Sequence, residues 1–269
     1  MLPKSIQEAP TPACRACAGE LSFSFEVEVL GDTPAKYHKC RSCGSLMVLE
    51  PHWLERSYQT TLFPDPDTGA LYRTLYVNRY IRRMRAVGLL PRRYRSLDYG
   101  SGLGMLVSLQ LDRKADAHGF DQYSVPRFAQ LACGKQLPNG PFDLISAIEV
   151  IEHLLDPIDV LRAFQSRLAP SGLVLISTEL YQRERWPDPS SWHYVDRQHG
   201  QHIMLFTRAG LKAAAKAAGL RHVYTVNKGK TPFMHVFVHE HRMTPLIRLG
   251  FLVWQHLWGE LRESLDLAI

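Results

Sequence analysis

Strands and helices alternate in the pattern of apolar and polar positions along residues 96–243. Four short apolar runs predict strands, at Ser96–Tyr99, Asp116–Phe120, residues 142–150 and residues 173–180. Between them, Met105–Leu111 and residues 151–168 carry apolar side chains at helical spacing. Continuous apolar strands that alternate with helices are typical of an open, largely parallel sheet covered on both faces. The predicted fold class is therefore α/β, with a doubly wound sheet.

The N-terminal part has a different pattern, in which residues 21–30 alternate apolar and polar positions as a strand does. Two cysteine pairs flank this strand, Cys14-x-x-Cys17 and Cys40-x-x-Cys43. Two thiolates from each of two tight turns complete the tetrahedron that zinc prefers in structural sites, which predicts a small zinc ribbon over about residues 12–50. Four unrelated thiols, or two disulfides in an exported protein, are the alternatives. Cys133 stands alone and is interpreted as a small buried hydrophobe.

Three further segments are expected to have regular structure. Residues 74–95 predict an amphipathic helix, closed near Gly88 and Pro91, in which Arg79, Arg82, Arg83 and Arg85 lie between apolar positions. Residues 235–239 predict a half-exposed strand. The tail, Thr244–Ile269, predicts an apolar helix with Trp254 and Trp258 one turn apart. It would pack on the domain, form a homodimer, or make peripheral contact with a membrane surface.

These patterns divide the chain into four regions. They are a zinc ribbon at 1–50, a helical linker or lid at 51–95, a catalytic domain at 96–243, and a C-terminal amphipathic helix at 244–269.

Composition agrees with a soluble globular class, with 45% hydrophobic and 22% charged residues in 269. No apolar run reaches the ~18 residues that a membrane-spanning helix needs, and the first residues lack the apolar stretch of a secretory signal. A cytoplasmic location is therefore expected.

The net charge of +6 is local. Residues 58–95 carry a net charge of +6, whereas residues 1–57 carry −1 and residues 96–269 carry +1. A nucleic-acid partner is therefore conceivable but not favoured. The arginine-rich helix would meet an anionic acceptor, such as a nucleotide-linked sugar, or would be a solvated face.

The clearest enzymatic motif is Asp98-Tyr-Gly-Ser-Gly-Leu-Gly104 at a predicted strand-to-helix turn. Glycines let the backbone approach a ligand closely, and the acid at the strand end offers hydrogen-bond acceptors. Asp121 follows at the end of the next predicted strand, where a carboxylate can accept hydrogen bonds from two ribose hydroxyls. A tight turn in another doubly wound enzyme is the alternative.

Four segments in order, LDYGSGLG, GFDQ, FDLISAIEVIEHLLDP and LAPSGLVLIST, resemble the class I S-adenosylmethionine-dependent methyltransferases. The resemblance covers about residues 96–220. It implies a mostly parallel seven-stranded sheet and S-adenosylmethionine as cofactor. It also implies that Asp98 faces the methionine amino group, that Gly100, Gly102 and Gly104 form the floor of the methionine pocket, and that Asp121 binds the ribose.

The segment Glu149-Val-Ile-Glu152-His153 lies where a predicted strand gives way to a helix. On a helix, Glu149 and His153 would face the same side. The pattern resembles that of ubiquinone-pathway O-methyltransferases and small-RNA 2′-O-methyltransferases, in which such residues and a later histidine bind a divalent metal. His202 is preferred here over His199, and Mg²⁺, Mn²⁺ or Zn²⁺ would suit the donors. A histidine acting as general base and a purely structural role remain the alternatives.

The acceptor is expected to be a small molecule, first a hydroxyl of a sugar or surface-glycan precursor. This expectation rests on a resemblance to sugar-modifying methyltransferases that carry zinc ribbons. An RNA 2′-hydroxyl is the second interpretation, and a nonenzymatic zinc-ribbon binding module on a methyltransferase fold is the third. Trp192 and Tyr194, in a loop after a core strand, would line the acceptor pocket or pack on the sheet.

Overall fold

The computed structural model describes residues 12–61, 68–228, 231–241 and Gly250. It contains eleven strands and five α-helices within this part of the chain. The strands are β1 (Leu21–Val29), β2 (Thr33–Cys40), β3 (Leu46–Val48), β4 (Arg95–Tyr99), β5 (Asp116–Phe120), β6 (Cys133–Gly134), β7 (Phe142–Ile148), β8 (Leu168–Ser177), β9 (Met204–Leu205), β10 (Leu220–Lys228) and β11 (Thr231–His239). The helices are α1 (Leu54–Thr61), α2 (Thr68–Ala86), α3 (Met105–Leu111), α4 (Pro157–Arg167) and α5 (Arg208–Ala217).

Seven strands form one sheet in the order β10-β11-β8-β7-β4-β5-β6. β8, β7, β4, β5 and β6 run parallel, and β11 is antiparallel to both of its neighbours. Apolar clusters lie on both faces of this sheet: Ile145, Val174 and Phe237 belong to one, and Leu144, Leu175 and Val236 to the other. The predicted α/β class and doubly wound, mostly parallel sheet are confirmed.

The N-terminal strands form a second sheet, which takes its last strand from a distant part of the chain. Its order is β1-β2-β3-β9, all antiparallel. Its apolar core joins Val29, Tyr37 and Trp53 to Trp192 and Ile203. The ribbon therefore shares both a sheet and a core with residues 192–205.

Several predicted elements differ from the observed ones. The helix expected over residues 151–168 is a short 3₁₀ turn at Ile151–His153 followed by α4, because Pro157 disfavours helical backbone at the residue before it. Glu149 has a φ of +55° and precedes both elements, so Glu149 and His153 do not share an α-helical face. α2 begins at Thr68, earlier than the predicted Thr74, and ends at Ala86, close to its predicted end near Gly88, which has a φ of +78°.

The prediction of a half-exposed strand at 235–239 was wrong. His235, Val236, Phe237 and Val238 are all buried, because β11 lies between β8 and β10 and is covered on both faces. The side chain of His235 is accommodated by hydrogen bonds with Thr225 and with the carbonyl oxygen of Thr178.

Within the described residues, no helix is both long and apolar enough to cross a bilayer. The predicted C-terminal helix, residues 244–269, lies outside the described residues except for Gly250.

Candidate active site and zinc centre

The glycine-rich motif forms the loop between β4 and α3. Gly104 has a φ of +82°, and a Cβ there would lie 2.3 Å from the carbonyl oxygen of Phe128, so only glycine fits. Gly102 also has a positive φ, but a Cβ there would meet nothing within 4 Å. The loop is therefore packed tightly at Gly104 and open at Gly102.

Asp121, at the end of β5, forms a hydrogen bond with this loop and stabilises it. Its Oδ2 accepts a hydrogen bond from the Gly102 N–H at 2.8 Å. Its Oδ1 accepts from the N–H groups of Tyr123 and Ser124 at 2.8 and 2.7 Å. These donors hold the carboxylate in one orientation beside the loop.

Asp98 is buried at the end of β4, where the Ser146 hydroxyl donates a hydrogen bond to its Oδ1 at 2.7 Å. Burial, with a smaller contribution from the charge of Asp121, raises the pKa of Asp98 to about 7, although the Ser146 hydrogen bond lowers it. The fold therefore disfavours the ionised carboxylate unless a cation compensates it.

A cavity of about 350 Å³ opens at the carboxyl ends of the strands. This is the position at which open α/β sheets bind their ligands. Its wall includes Tyr58 from α1, Gly100, Asp121, Glu149 and His153. Asp98, Gly102 and Gly104 are not part of this wall. The predicted cofactor side, at Gly100 and Asp121, and the predicted catalytic side, at Glu149 and His153, thus face one space.

Glu152, His153 and His202 form what we call the histidine–carboxylate cluster. One potential ligand atom from each lies within 4.8 Å of those of the other two. The cluster joins the turn after β7 to the segment just before β9. His199 lies outside it, with its Nδ1 2.9 Å from Asp196 Oδ1.

Two polar atoms of this cluster are buried without a hydrogen-bond partner, Glu152 Oε2 and His153 Nδ1. His202 Nδ1 lies 2.8 Å from the Tyr194 carbonyl oxygen. Because a carbonyl only accepts, this nitrogen carries the proton and Nε2 keeps a free lone pair. Buried atoms left unpaired in this way are costly, and a cation bound by the cluster could pair with both of them.

Glu149 lies beside the cluster. Its Oε1 accepts a hydrogen bond from the Ser177 hydroxyl at 2.7 Å, and its Oε2 lies 3.2 Å from the Tyr194 hydroxyl. The Tyr194 hydroxyl also contacts Glu152 Oε1. Tyr194 therefore links the two carboxyl groups, a role that its position in an aromatic loop did not indicate.

The electrostatics of the cluster favour neutral groups. Burial and the neighbouring Glu149 raise the pKa of Glu152 well above its usual range. Burial and the neighbouring His202 lower the pKa of His153 well below its usual range. A bound cation would reverse the preference at Glu152, since it stabilises a carboxylate.

The four N-terminal cysteines form a second group of potential metal ligands, with all sulfur atoms within 4.8 Å of one another. Cys14 and Cys43 are 3.7 Å apart and Cys17 and Cys40 are 3.5 Å apart, well beyond the ~2.05 Å of a disulfide. The N–H groups of Ala16 and Cys43 donate to the sulfurs of Cys14 and Cys40. Four converging sulfurs on two knuckles fit a structural zinc ion.

Cys133 is half-buried and packs against the apolar cluster that covers one face of the seven-stranded sheet. Trp192 is buried in the ribbon core rather than in the cavity wall.

Comparison with known proteins identifies the catalytic region. A family model described as a methyltransferase domain matches residues 71–225, more than half of the chain. The chain belongs to this methyltransferase family. Membership of this methyltransferase family argues against the interpretation as a nonenzymatic binding module.

Curated relatives match a shorter stretch. The ubiquinone biosynthesis O-methyltransferase of Pseudomonas aeruginosa (strain UCBPP-PA14) is 32% identical over 100 residues, covering 30% of this chain and 43% of the relative. That of Acinetobacter baumannii (strain AYE) is 30% identical over 116 residues, covering 35% of this chain and 46% of the relative. The methyltransferase therefore spans less than half the length of these relatives.

The chain is also similar to solved structures. One from Nostoc punctiforme PCC 73102, provisionally described as an O-methyltransferase, has a TM-score of 0.50 and 14% identity, and covers 70% of this chain and 60% of that one. An S-adenosylmethionine-dependent methyltransferase from Clostridium acetobutylicum ATCC 824 has a TM-score of 0.45 and 12% identity, and covers 70% of this chain and 98% of that one.

Proposed function

We propose that the protein transfers the methyl group of S-adenosylmethionine to a hydroxyl oxygen of a small molecule, assisted by a divalent cation. The observation that carries this proposal is the pair of unpartnered buried atoms, Glu152 Oε2 and His153 Nδ1, beside the cavity that Asp121 also lines. Both atoms are metal ligands by type, and His202 Nε2 adds a third.

The residues present fit the cofactor. Asp121 would bind the ribose hydroxyls, because its carboxylate is held in place at the cavity wall. The open space at Gly102 leaves its backbone accessible. Asp98 would compensate the methionine ammonium group through its buried carboxylate. When bound, S-adenosylmethionine supplies an electrophilic methyl group, so the protein chiefly provides orientation and proximity.

The cluster residues would act on the acceptor. Glu152, His153 and His202 would hold Mg²⁺, Mn²⁺ or Zn²⁺. Glu149 would add a second carboxyl group next to these ligands, linked to Glu152 by the Tyr194 hydroxyl. When bound, such a cation would supply Lewis-acid chemistry that lowers the pKa of an acceptor hydroxyl. The competing role, His153 as general base without a metal, would leave Glu152 Oε2 buried and unpaired, and for this reason we favour the metal.

Metal dependence is the test. Removal of divalent cations, with the zinc content of the ribbon monitored separately, should abolish transfer of labelled methyl to cell extract, and Mg²⁺ or Mn²⁺ should restore it. Glu152→Gln should reproduce the loss, because the amide keeps the shape but not the charge. His199→Gln is the matched control, since His199 lies close to His202 in sequence but is not part of the cluster. Full methyl transfer after exhaustive chelation would contradict the proposal that a metal assists the reaction.

For the acceptor, we propose a sugar hydroxyl, nucleotide-linked or within a surface-glycan precursor. The arginine side chains of α2 support an anionic acceptor, since Arg79 and Arg82 are exposed on that helix. Fractionation of the labelled extract tests this proposal. Label in a nucleotide-sugar or glycan fraction is expected, whereas label in RNA or in a phenolic lipid would point to another acceptor.

A further inference from the structure

Hydrogen bonds join the zinc ribbon to the segment that carries His202. β3 pairs with β9, with Leu46 opposite Leu205 and Met47 opposite Met204. The pairing extends one residue further, because the Val48 N–H donates to the Ile203 carbonyl oxygen at 2.9 Å. The backbone directly after His202 is thus part of the ribbon's sheet.

Tyr37, on β2 of the ribbon, contacts His202 itself. Its hydroxyl donates to the His202 carbonyl oxygen at 2.7 Å and lies 3.4 Å from that of Val195. The Tyr37 side chain is 1% exposed, and its ring stacks on Phe25 at 4.7 Å. Burial raises the pKa of this phenol, which therefore stays a neutral donor. A rigid buried side chain fixes the position of the His202 backbone.

Two more contacts hold the same segment on either side of His202. The Trp53 indole N–H donates to the Gly200 carbonyl oxygen at 2.8 Å. The Thr207 hydroxyl donates to the carbonyl oxygen of Cys43, which is one of the four cysteines, at 2.5 Å. The cysteine knuckle is therefore bonded to the chain five residues beyond His202.

By contrast, Glu149, Glu152 and His153 come from the end of β7 and the turn that follows it, within the seven-stranded sheet. The candidate site is thus assembled from two separate supports. One is the methyltransferase sheet, and the other is the ribbon.

We propose that the zinc ribbon positions His202 and Tyr194 against the sheet-borne half of the catalytic site, and that Tyr37 is a positioning residue for His202. The proposal rests on the proposed function, since it assumes that His202 is a metal ligand. The ribbon would then help to form the active site and would not serve to recognise a separate partner. The cofactor side of the cavity, at Gly100 and Asp121, follows strands of the seven-stranded sheet, and neither residue takes part in these contacts.

Manganese binding to the zinc-loaded, full-length protein tests the proposal without an acceptor. Tyr37→Phe removes only the hydroxyl and should weaken Mn²⁺ binding by about tenfold or more, because groups that orient a metal ligand typically contribute 10–100-fold to affinity. S-Adenosylmethionine affinity, measured by calorimetry on the same sample, should be unchanged. Tyr76→Phe on α2 is the matched control, since that hydroxyl contacts the Tyr80 hydroxyl on the same helix.

His202→Ala separates the two proposals. If this variant binds Mn²⁺ as tightly as wild type, the metal assignment itself fails. If His202→Ala weakens binding but Tyr37→Phe matches wild type and Tyr76→Phe, the positioning role is overturned and the metal site stands. If Tyr37→Phe does not fold, Trp53→Phe replaces it; weaker Mn²⁺ binding in that variant supports the role, and unchanged binding overturns it.

Discussion

Asp98 is a carboxyl group whose ionisation the folded protein opposes. Burial raises its pKa from 3.8 to about 7. Between these two values the unfolded chain ionises at this residue and the folded protein does not. The contribution of Asp98 to the free energy of unfolding is therefore fully present below about pH 4 and is lost as pH rises through about 7.

Asp98→Asn should remove this pH dependence. The free energy of unfolding of the variant, relative to wild type, should rise by about 2–4 kcal/mol between pH 4 and pH 8, at about 1.4 kcal/mol per pKa unit. Urea unfolding of the cofactor-free protein at both pH values measures it. Ser146→Ala should extend the wild-type loss to higher pH, because the Ser146 hydrogen bond lowers the pKa of Asp98. A relative stability that does not change with pH would contradict this account.

The sequence predicts most residues of the candidate site but not their partners. Glu152, His153 and His202 were recognised from a short motif and a later histidine, and the structure brings them together. The role of the Tyr194 hydroxyl between two carboxyl groups could not be predicted, because it depends on the path of an irregular loop. Local patterns report residue types, whereas hydrogen-bond partners depend on tertiary packing.

Two glycines in the loop between β4 and α3 have different functions. Gly104 allows close packing against the Phe128 carbonyl, and Gly102 leaves open space. One substitution should therefore damage the fold and the other should damage ligand binding.

Gly104→Ala should lower the free energy of unfolding by about 2 kcal/mol or more, because it adds a backbone clash to left-handed strain. Gly102→Ala should cost about 1–2 kcal/mol from strain alone. It should nevertheless weaken S-adenosylmethionine binding at least about tenfold, equivalent to about 1.4 kcal/mol, because the proposed cofactor lies against this loop and the added methyl group would meet it. Urea unfolding and calorimetry measure the two effects. Equal destabilisation by both variants would contradict this separation.

The predicted helices and strands agree with the structure where the spacing of apolar residues in the sequence matches the spacing of buried residues in the fold. The strands at Ser96–Tyr99 and Asp116–Phe120 and the helix at Met105–Leu111 match closely. The prediction of one helix over residues 151–168 was wrong. Apolar residues keep their helical spacing across Asp156 and Pro157, but the backbone at Asp156 is not helical because a proline follows it. The burial of β11 was missed because histidines at 235 and 239 resemble an exposed face, whereas hydrogen bonds satisfy them inside.

β9, which follows β8 of the seven-stranded sheet in the chain, pairs with β3 in the four-stranded sheet. No local pattern predicts this pairing, since β9 has two residues and its partner lies near the opposite end of the described chain. The ribbon is consequently built into the enzyme instead of being attached to it by a linker alone.

Zinc removal should therefore affect the two halves of the cavity differently. Stripping zinc with a strong chelator should loosen the ribbon, because metal binding by such knuckles is coupled to their folding. Mn²⁺ binding at the histidine–carboxylate cluster should be lost, while S-adenosylmethionine binding should persist. Zinc release, measured with a colorimetric indicator, should parallel the first loss only. Simultaneous loss of both ligands would mean that the ribbon supports the entire sheet.

The hydrogen bond from Tyr37 to His202 spans 165 positions, which bears on how the protein is made. A ribosome releases the four ribbon cysteines early, and their thiolates can bind zinc as soon as residue 43 has emerged. The fourth strand and the ribbon's shared core become available only after most of the larger sheet has been synthesised, and contacts of such long separation form slowly. We therefore expect the ribbon to complete its sheet only after residues 203–205 have emerged, and the proposed metal-binding half of the cavity to form after the cofactor half.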